Sequence, residues 1–158
     1  MVAAVYLPAS RPEANGNRTI TATFTQNHYT VTVNVGGTAL GTVSNATVTC
    51  TNATSPCTIP NVTYGTMITL NAMPNSGARL SGWTGATCAG SACAFTVNSD
   101  MTVGATFVPD QRTIAIAIPT GIGEVFADTV PLDCFGNAGA TSGVCMGTYD
   151  VGTTFMLT

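Results

Sequence analysis

The sequence predicts an all-β protein built from small tandem modules, sandwich-like or β-grasp-like, with about 83 residues in each repeat. Three observations support this fold class. Short stretches alternate apolar and polar residues with the period of a strand, turn-forming residues separate these stretches, and one stretch recurs along the chain. No stretch has the 3.6-residue periodicity that indicates a helix.

Residues 68–83 contain the only tryptophan of the chain and predict a hairpin closed over it. The first strand alternates apolar and other residues, and its predicted buried face is Ile68, Leu70 and Ala72. Pro74 ends this strand because proline has no N–H for the ladder. Gly77 allows a tight turn, and the second strand returns the chain to Trp83, the predicted core anchor.

The spacing of these residues resembles a known family. Residues 70–85 read L-x-A-x-P-x-x-G-x-x-L-x-G-W-x-G, a short loop from Cys88 to Cys93 follows, and residues 101–107 form the predicted strand M-T-V-G-A-T-F. This pattern is similar to the divergent InlB B-repeat family, and the resemblance covers residues 27–107. It implies a β-rich module repeated in tandem in extracellular proteins, with no catalytic residues to carry over.

An internal repeat extends the pattern beyond this module. Residues 18–24, R-T-I-T-A-T-F, recur as residues 101–107 at a spacing of 83 positions. The strand that follows each copy recurs as well, as residues 29–35 and 112–118. Three later features also correspond: Gly41-Thr42-Val43 with Gly123-Glu124-Val125, Cys50 and Cys57 with Cys134 and Cys145, and residues 65–70 with 152–157. Repetition of this kind predicts an array in which each unit is one module.

The chain is out of phase with its repeats. Residues 1–24 are predicted to be the closing strands of a partial repeat, residues 25–107 a complete repeat, and residues 108–158 the opening part of a following repeat. Two explanations remain open. Either the chain is a piece of a longer array, or strands from the next subunit complete its last module, because an incomplete sheet presents an unpaired edge.

Six cysteines fall in three local pairs: Cys50 with Cys57, Cys88 with Cys93, and Cys134 with Cys145. The even number and the close spacing predict disulfides, and disulfides indicate an oxidising, extracellular compartment. A metal cluster that combines cysteines with His28 is the disfavoured alternative, because structural zinc needs four converging ligands. We therefore expect neither a metal nor another cofactor.

Composition excludes several classes of partner. Charged residues make up 7% of the chain, with no lysine, four arginines and a net charge of −3. No basic patch is available for nucleic acid or an anionic membrane. No apolar run, including residues 114–118, approaches the roughly 20 residues that cross a bilayer, so we expect no membrane insertion. So few charges fit a chain whose surface is largely covered by neighbours.

Candidate chemistry is sparse. The carboxylates are scattered singly, and no nucleophile, phosphate-binding or calcium-loop motif is present, so we predict no catalytic residues and no enzyme activity. Asp128 and Asp133 are the least implausible cation pair, and Trp83 has a sugar-stacking platform as its alternative role. Four sequons make candidate glycosylation sites: Asn17, Asn45, Asn52 and Asn61.

These observations together predict a non-enzymatic structural subunit or segment of an extracellular surface filament. Its partners are expected to be copies of itself, joined head to tail by strand complementation between partial repeats, with glycans as a second candidate. The alternative is an adhesin stalk or a carbohydrate- or ligand-binding module of a secreted protein. Electron microscopy separates the two, because only the first forms fibres, whereas the second binds selectively on a glycan array.

Overall fold

The computed structural model describes residues 21–137 and 139–158, which form thirteen strands and no helix. The all-β prediction is therefore confirmed. In chain order the strands are β1 (His28–Gly37), β2 (Gly41–Ser44), β3 (Thr49–Thr51), β4 (Cys57–Thr63), β5 (Met67–Pro74), β6 (Ala78–Thr84), β7 (Ala92–Thr96), β8 (Met101–Pro109), β9 (Gln111–Ala115), β10 (Ile122–Phe126), β11 (Asp133–Asn137), β12 (Ala140–Val144) and β13 (Met146–Asp150).

The complete repeat consists of two four-stranded sheets around one core. One sheet has the strand order β4-β1-β8-β6 and the other β3-β2-β5-β7. β1 and β8 run parallel, whereas the other neighbouring pairs are antiparallel. Both sheets contribute to the core, which is the sandwich-like one of the two predicted architectures. The buried core residues are Val31, Val33, Val35, Val43, Cys50, Val62, Ile68, Leu70, Ala72, Cys93, Val97, Val103, Ala105 and Phe107.

The strand β8 closes this core from within its sheet. It lies between β1 and β6, and its inward side chains, Val103, Ala105 and Phe107, are buried. Its parallel pairing with β1 runs in unbroken register from Val31 opposite Met101 to Gly37 opposite Phe107. Phe107 is the largest fully buried side chain. Because large buried aromatic side chains contribute most to a small core, β8 is the strand that makes the two sheets one unit.

The predicted hairpin between β5 and β6 is wrong. Ile68, Leu70 and Ala72 are buried and Gly77 has φ +76°, as expected for a strand followed by a tight turn. However, β5 pairs with β2 and β7, whereas β6 pairs with β8 in the other sheet. The turn after Pro74 therefore carries the chain across the core. Proline and glycine mark both kinds of connection, so local sequence does not distinguish them.

The second repeat, whose first strand is β9, contains the equivalents of the opening strands. β9 pairs antiparallel with β13, as β1 pairs with β4, and β10 pairs with β11, as β2 pairs with β3. An additional strand, β12, pairs with β11 and occupies the loop between Cys134 and Cys145. These cysteines are 11 positions apart, against 7 for Cys50 and Cys57, which leaves room for the extra strand.

The C-terminal residues begin the strand that corresponds to β5. Phe126 and Thr158 exchange two backbone hydrogen bonds of 3.1 and 3.0 Å. In the complete repeat, Ser44 pairs with Asn71 at the corresponding position. Because the internal repeat aligns Asn71 with Thr158, the two pairings have the same register. The second repeat thus follows the strand plan of the first as far as residue 158.

Two backbone hydrogen bonds join the repeats. The Asp110 N–H donates to the Gly77 carbonyl at 2.8 Å, and the Val151 N–H donates to the Asp110 carbonyl at 2.7 Å. Asp110 lies between β8 and β9, so it ties the linker to both modules. Its carboxylate also forms an ion pair with Arg112 at 2.7 Å. The junction between consecutive modules is therefore held by backbone contacts on both sides.

Candidate functional site

The candidate functional site is the open face of the second repeat, which consists of the free edge of β9 and the apolar side chains beside it. Within the described residues β9 pairs only with β13, whereas the equivalent β1 has β4 on one side and β8 on the other. The second edge of β9 therefore presents backbone N–H and C=O groups that no other strand of residues 21–137 and 139–158 pairs with. Such an edge is a template for strand addition.

The apolar side chains of β9 and the residues after it lack a complete core. Ile114, Ile116 and Ile118 are half-buried, while the equivalent Val31, Val33 and Val35 of the first repeat are 0%, 0% and 6% exposed. In the described part of the second repeat, only Leu132 and Cys134 are buried hydrophobic residues. The second repeat also exposes large apolar side chains, several of them on the outward faces of its strands: Ile122, Phe126, Phe135, Val144, Met146, Val151, Met156 and Leu157. This surface is more apolar than solvation alone favours.

Gly123 marks an open space within this face, which we call the Gly123 socket. It corresponds in the repeat to Gly41, on which the ring of Phe107 packs so closely that a Cβ atom would lie 2.5 Å from a ring carbon. At Gly123, no described atom beyond the adjacent residues lies within 4 Å of the corresponding position. The second repeat therefore has the glycine that receives an aromatic ring, and no ring from the described part of the chain packs on it.

Tyr149 occupies an inward position of the open face. It pairs with Arg112 as Val62 pairs with Tyr29 in the complete repeat, and Val62 is a core residue. The Tyr149 ring contacts Phe155 at a centroid distance of 5.3 Å. Its hydroxyl is enclosed and has no hydrogen-bond partner among the described residues. A buried hydroxyl without a hydrogen-bond partner costs free energy, so the Tyr149 hydroxyl destabilises the second repeat in this arrangement.

The described part of the N-terminal copy of the closing strand, residues 21–24, lies outside any described sheet. Residues 21–27 are exposed and form no strand, and Phe24 is 72% exposed. By the internal repeat, Ala22 and Phe24 correspond to Ala105 and Phe107, which are buried in the complete repeat. The remainder of the predicted closing strands, residues 1–20, lies outside the described residues.

Asp128 attaches the C-terminal segment to the loop after β10. Its carboxylate accepts the Met156 backbone N–H at 2.9 Å and the Thr129 hydroxyl at 3.2 Å. The Met156 hydrogen bond is the main cause that lowers the pKa of Asp128 below its ordinary value of 3.8. Asp128 and Asp133 were predicted as a cation pair. No third ligand lies beside them, since no cluster of three metal-ligating side chains occurs among residues 21–137 and 139–158.

All six cysteines form the predicted disulfides. The Cα–Cα distances are 5.8 Å for Cys50–Cys57, 4.9 Å for Cys88–Cys93 and 4.6 Å for Cys134–Cys145. One half-cystine of each pair is fully buried: Cys50, Cys93 and Cys134. The Cys50–Cys57 bridge therefore joins β3 of one sheet to the start of β4 in the other, and the other two bridges connect buried strand residues to Cys88 and Cys145 in loops.

Trp83 lies half-buried on β6, where it packs against the core of the complete repeat. Its indole N–H donates to the Gly90 carbonyl at 2.9 Å, within the loop between Cys88 and Cys93. Both the apolar ring and its polar edge are thus engaged in the module itself. This arrangement favours packing over sugar stacking as the role of Trp83.

The three described sequon asparagines differ in their surroundings. The Asn45 side chain accepts the N–H groups of Thr47 and Val48, and the Asn52 side chain accepts the Gly41 N–H at 2.9 Å. Asn61 is exposed and has φ +56°. Asn17 lies outside the described residues. Glycosylation stays a prediction, and Asn61 is the most accessible of the three described acceptors.

Together, the two-sheet module and the open second module define an all-β tandem repeat protein. The chain belongs to the divergent InlB B-repeat domain family, whose sequence model matches residues 29–111. The family is typical of bacterial surface and extracellular proteins, and the three disulfides fit an oxidising environment. No curated protein and no solved structure matches the chain. None of the described residues forms a helix that could cross a membrane.

Proposed function

We propose that this chain is a non-enzymatic structural unit of an extracellular fibre, in which copies join head to tail by strand complementation. The observation that carries the proposal is the pairing of two incomplete regions in one chain. The second repeat has a free strand edge and a half-formed core, and residues 21–24 of the closing segment are exposed. The second repeat needs a closing strand, and the closing segment needs a sheet to join.

Edge pairing supplies a physical reason for assembly. A strand added beside β9 satisfies its free backbone groups and covers the half-buried Ile114, Ile116 and Ile118. Donor and acceptor lie at different places on the chain, so the contact is heterologous. Such contacts extend into open filaments unless the rotation between copies closes a ring.

Charge and compartment support the same function. The low charge of the chain reduces repulsion between copies in contact. Disulfides stabilise modules that lie outside the cell. The alternative, a carbohydrate-binding module, receives less support. Trp83 is the single tryptophan, and its ring and N–H are both engaged in its own module.

The test is the assembly state of the purified 158-residue chain. Size-exclusion chromatography with light scattering should show masses that are multiples of 16.0 kDa and rise with protein concentration, and negative-stain microscopy should show fibres. A variant without residues 1–24 keeps the complete repeat and is expected to remain a monomer. A full chain that stays monomeric at all concentrations overturns the proposal.

A further inference from the structure

We infer that the partner strand is residues 18–24 of a second copy, which pairs in parallel with β9 and its continuation and places Phe24 in the Gly123 socket. This inference rests on the proposed function and adds the register and the side chain that anchors the contact. It follows from two copies of one motif in a single chain. One copy is closed into a sheet, and the described part of the other is exposed.

The register follows from the complete repeat. There, β8 runs parallel to β1 with Val31 opposite Met101 and Val35 opposite Ala105. The internal repeat places residues 18–24 and 114–118 at 83 positions from their counterparts, and Gly123 at 82 positions from Gly41, because the connection after residue 118 is one residue shorter. The inferred pairs, written with the acceptor first, are Ile114 with Arg18, Ile116 with Ile20 and Ile118 with Ala22.

Side-chain sizes fit this register. In the complete repeat the inward face of β8 carries Val103, Ala105 and Phe107. The donor segment presents Ile20, Ala22 and Phe24 in the same order, so a small residue again lies between a branched and an aromatic one. A shift by one residue turns threonines toward the core, because successive side chains of a strand face opposite sides.

Phe24 and Gly123 form the most specific part of the contact. Phe107 packs on Gly41 with no room for a Cβ atom. Phe107 recurs as Phe24 in the preceding partial repeat, and Gly41 recurs as Gly123 in the following one. Gly123 has open space above it, and Phe24 is 72% exposed. A buried aromatic side chain removes more apolar surface from water than any other residue of the donor segment, so Phe24 is expected to decide whether the strand stays bound.

Two complementary variants of the full chain test the inference. Phe24→Ala removes the donor anchor and keeps the acceptor, whereas Gly123→Leu fills the socket and keeps the donor. Each variant alone is expected to remain a monomer in size-exclusion chromatography with light scattering. An equimolar mixture is expected to form heterodimers and nothing larger, because only one working donor and one working acceptor meet.

Matched controls separate anchoring from general surface effects. Met73→Ala removes an exposed apolar side chain of the complete repeat, and Gly36→Leu adds a leucine at a β1 glycine that also has open space. Both controls are expected to assemble like the unaltered chain. Rescue in the mixture also shows that Phe24→Ala and Gly123→Leu are folded.

The outcomes distinguish the inference from the function on which it rests. If the unaltered chain forms no assemblies, the proposed function fails. If it assembles and both variants assemble equally well alone, the fibre stands and this register is overturned. If the mixture forms chains longer than two copies, a second contact joins the subunits and Phe24 is not the anchor.

Discussion

The two repeats begin with equivalent strands, yet only the first forms a closed core. β1 to β4 have counterparts in β9, β10, β11 and β13, with the same pairings between them. The first repeat adds β5 to β8 and gains a continuous cluster of buried side chains. The opening strands can therefore pair locally, but the closing strands make them into a domain.

The strand β8 accounts for most of this difference. It covers one edge of β1 and brings Phe107 between the sheets, against Gly41. In the second repeat the equivalent isoleucines are half-buried, and the glycine faces open space. Closing such a module requires a strand that is distant in sequence, so it can be supplied by another chain as readily as by the same one.

The largest expected effect concerns the anchor of the closed core. Phe107→Ala is expected to lower the free energy of unfolding of the complete repeat by about 3–5 kcal/mol, because it leaves a cavity at a fully buried site. Urea unfolding followed by fluorescence reports on this repeat, since Trp83 is the only tryptophan. Its counterpart is the control: Phe24→Ala in the monomer is expected to change stability by less than about 0.5 kcal/mol.

Equal losses of unfolding free energy from Phe107→Ala and Phe24→Ala would contradict the contrast between the buried Phe107 and the exposed Phe24. That result would mean that Phe24 already packs within its own chain. The measurement therefore tests directly whether the two copies of the motif differ in their contacts.

The second effect concerns the disulfides of the two repeats. Replacing both Cys50 and Cys57 by alanine is expected to lower the stability of the complete repeat by about 2.5 kcal/mol in the loop-entropy model. The same double replacement at Cys134 and Cys145 lies in the other module and is expected to leave the Trp83 unfolding curve unchanged. Equal shifts from both would show that the modules unfold as one unit.

The third effect concerns the two equivalent glycines. Gly41→Ala is expected to destabilise the complete repeat by about 1–3 kcal/mol, because the added carbon overlaps the Phe107 ring. Gly123→Ala has open space and is expected to leave the stability of the monomer within about 0.5 kcal/mol of the original. A large loss from Gly123→Ala, measured by urea unfolding followed by circular dichroism, which reports on both repeats, would show that the socket is already filled.

Much of this comparison could be predicted from the sequence. Alternation gave the buried face of β5, cysteine spacing gave the disulfides, and the repeat gave the equivalence of β1 with β9. These features depend on local pattern or on similarity within the chain. The strand that closes each core was visible as a motif, since residues 18–24 and 101–107 match.

Other features depend on contacts between distant residues. The hairpin prediction for β5 and β6 was wrong because β6 does not pair with β5. It pairs with β8, which follows about 25 residues later in the chain. The role of Gly123 was also missed. The signal for it existed, because Gly41 aligns with Gly123 and Phe107 with Phe24, but only the packing of Phe107 on Gly41 shows that the two positions meet.

The smallest expected effect concerns pH and the attachment of the C-terminal segment. The Met156 N–H donates to the Asp128 carboxylate and holds its pKa below the ordinary value of 3.8. A lowered pKa means that the ionised form stabilises the folded segment. This contribution is present at neutral pH and is lost as pH falls below 3.8 through the folded-state pKa.

Amide exchange at Met156 and Thr158, corrected for the intrinsic pH dependence, measures this loss. Exchange is expected to quicken as pH falls below 3.8, while the amides of β1 and β8, closed in the complete repeat, keep their protection. The variant Asp128→Ala is expected to show quicker exchange at Met156 already at neutral pH and no further acid step. An acid step that persists in this variant would assign the attachment to another group and leave Asp128 without a part in it.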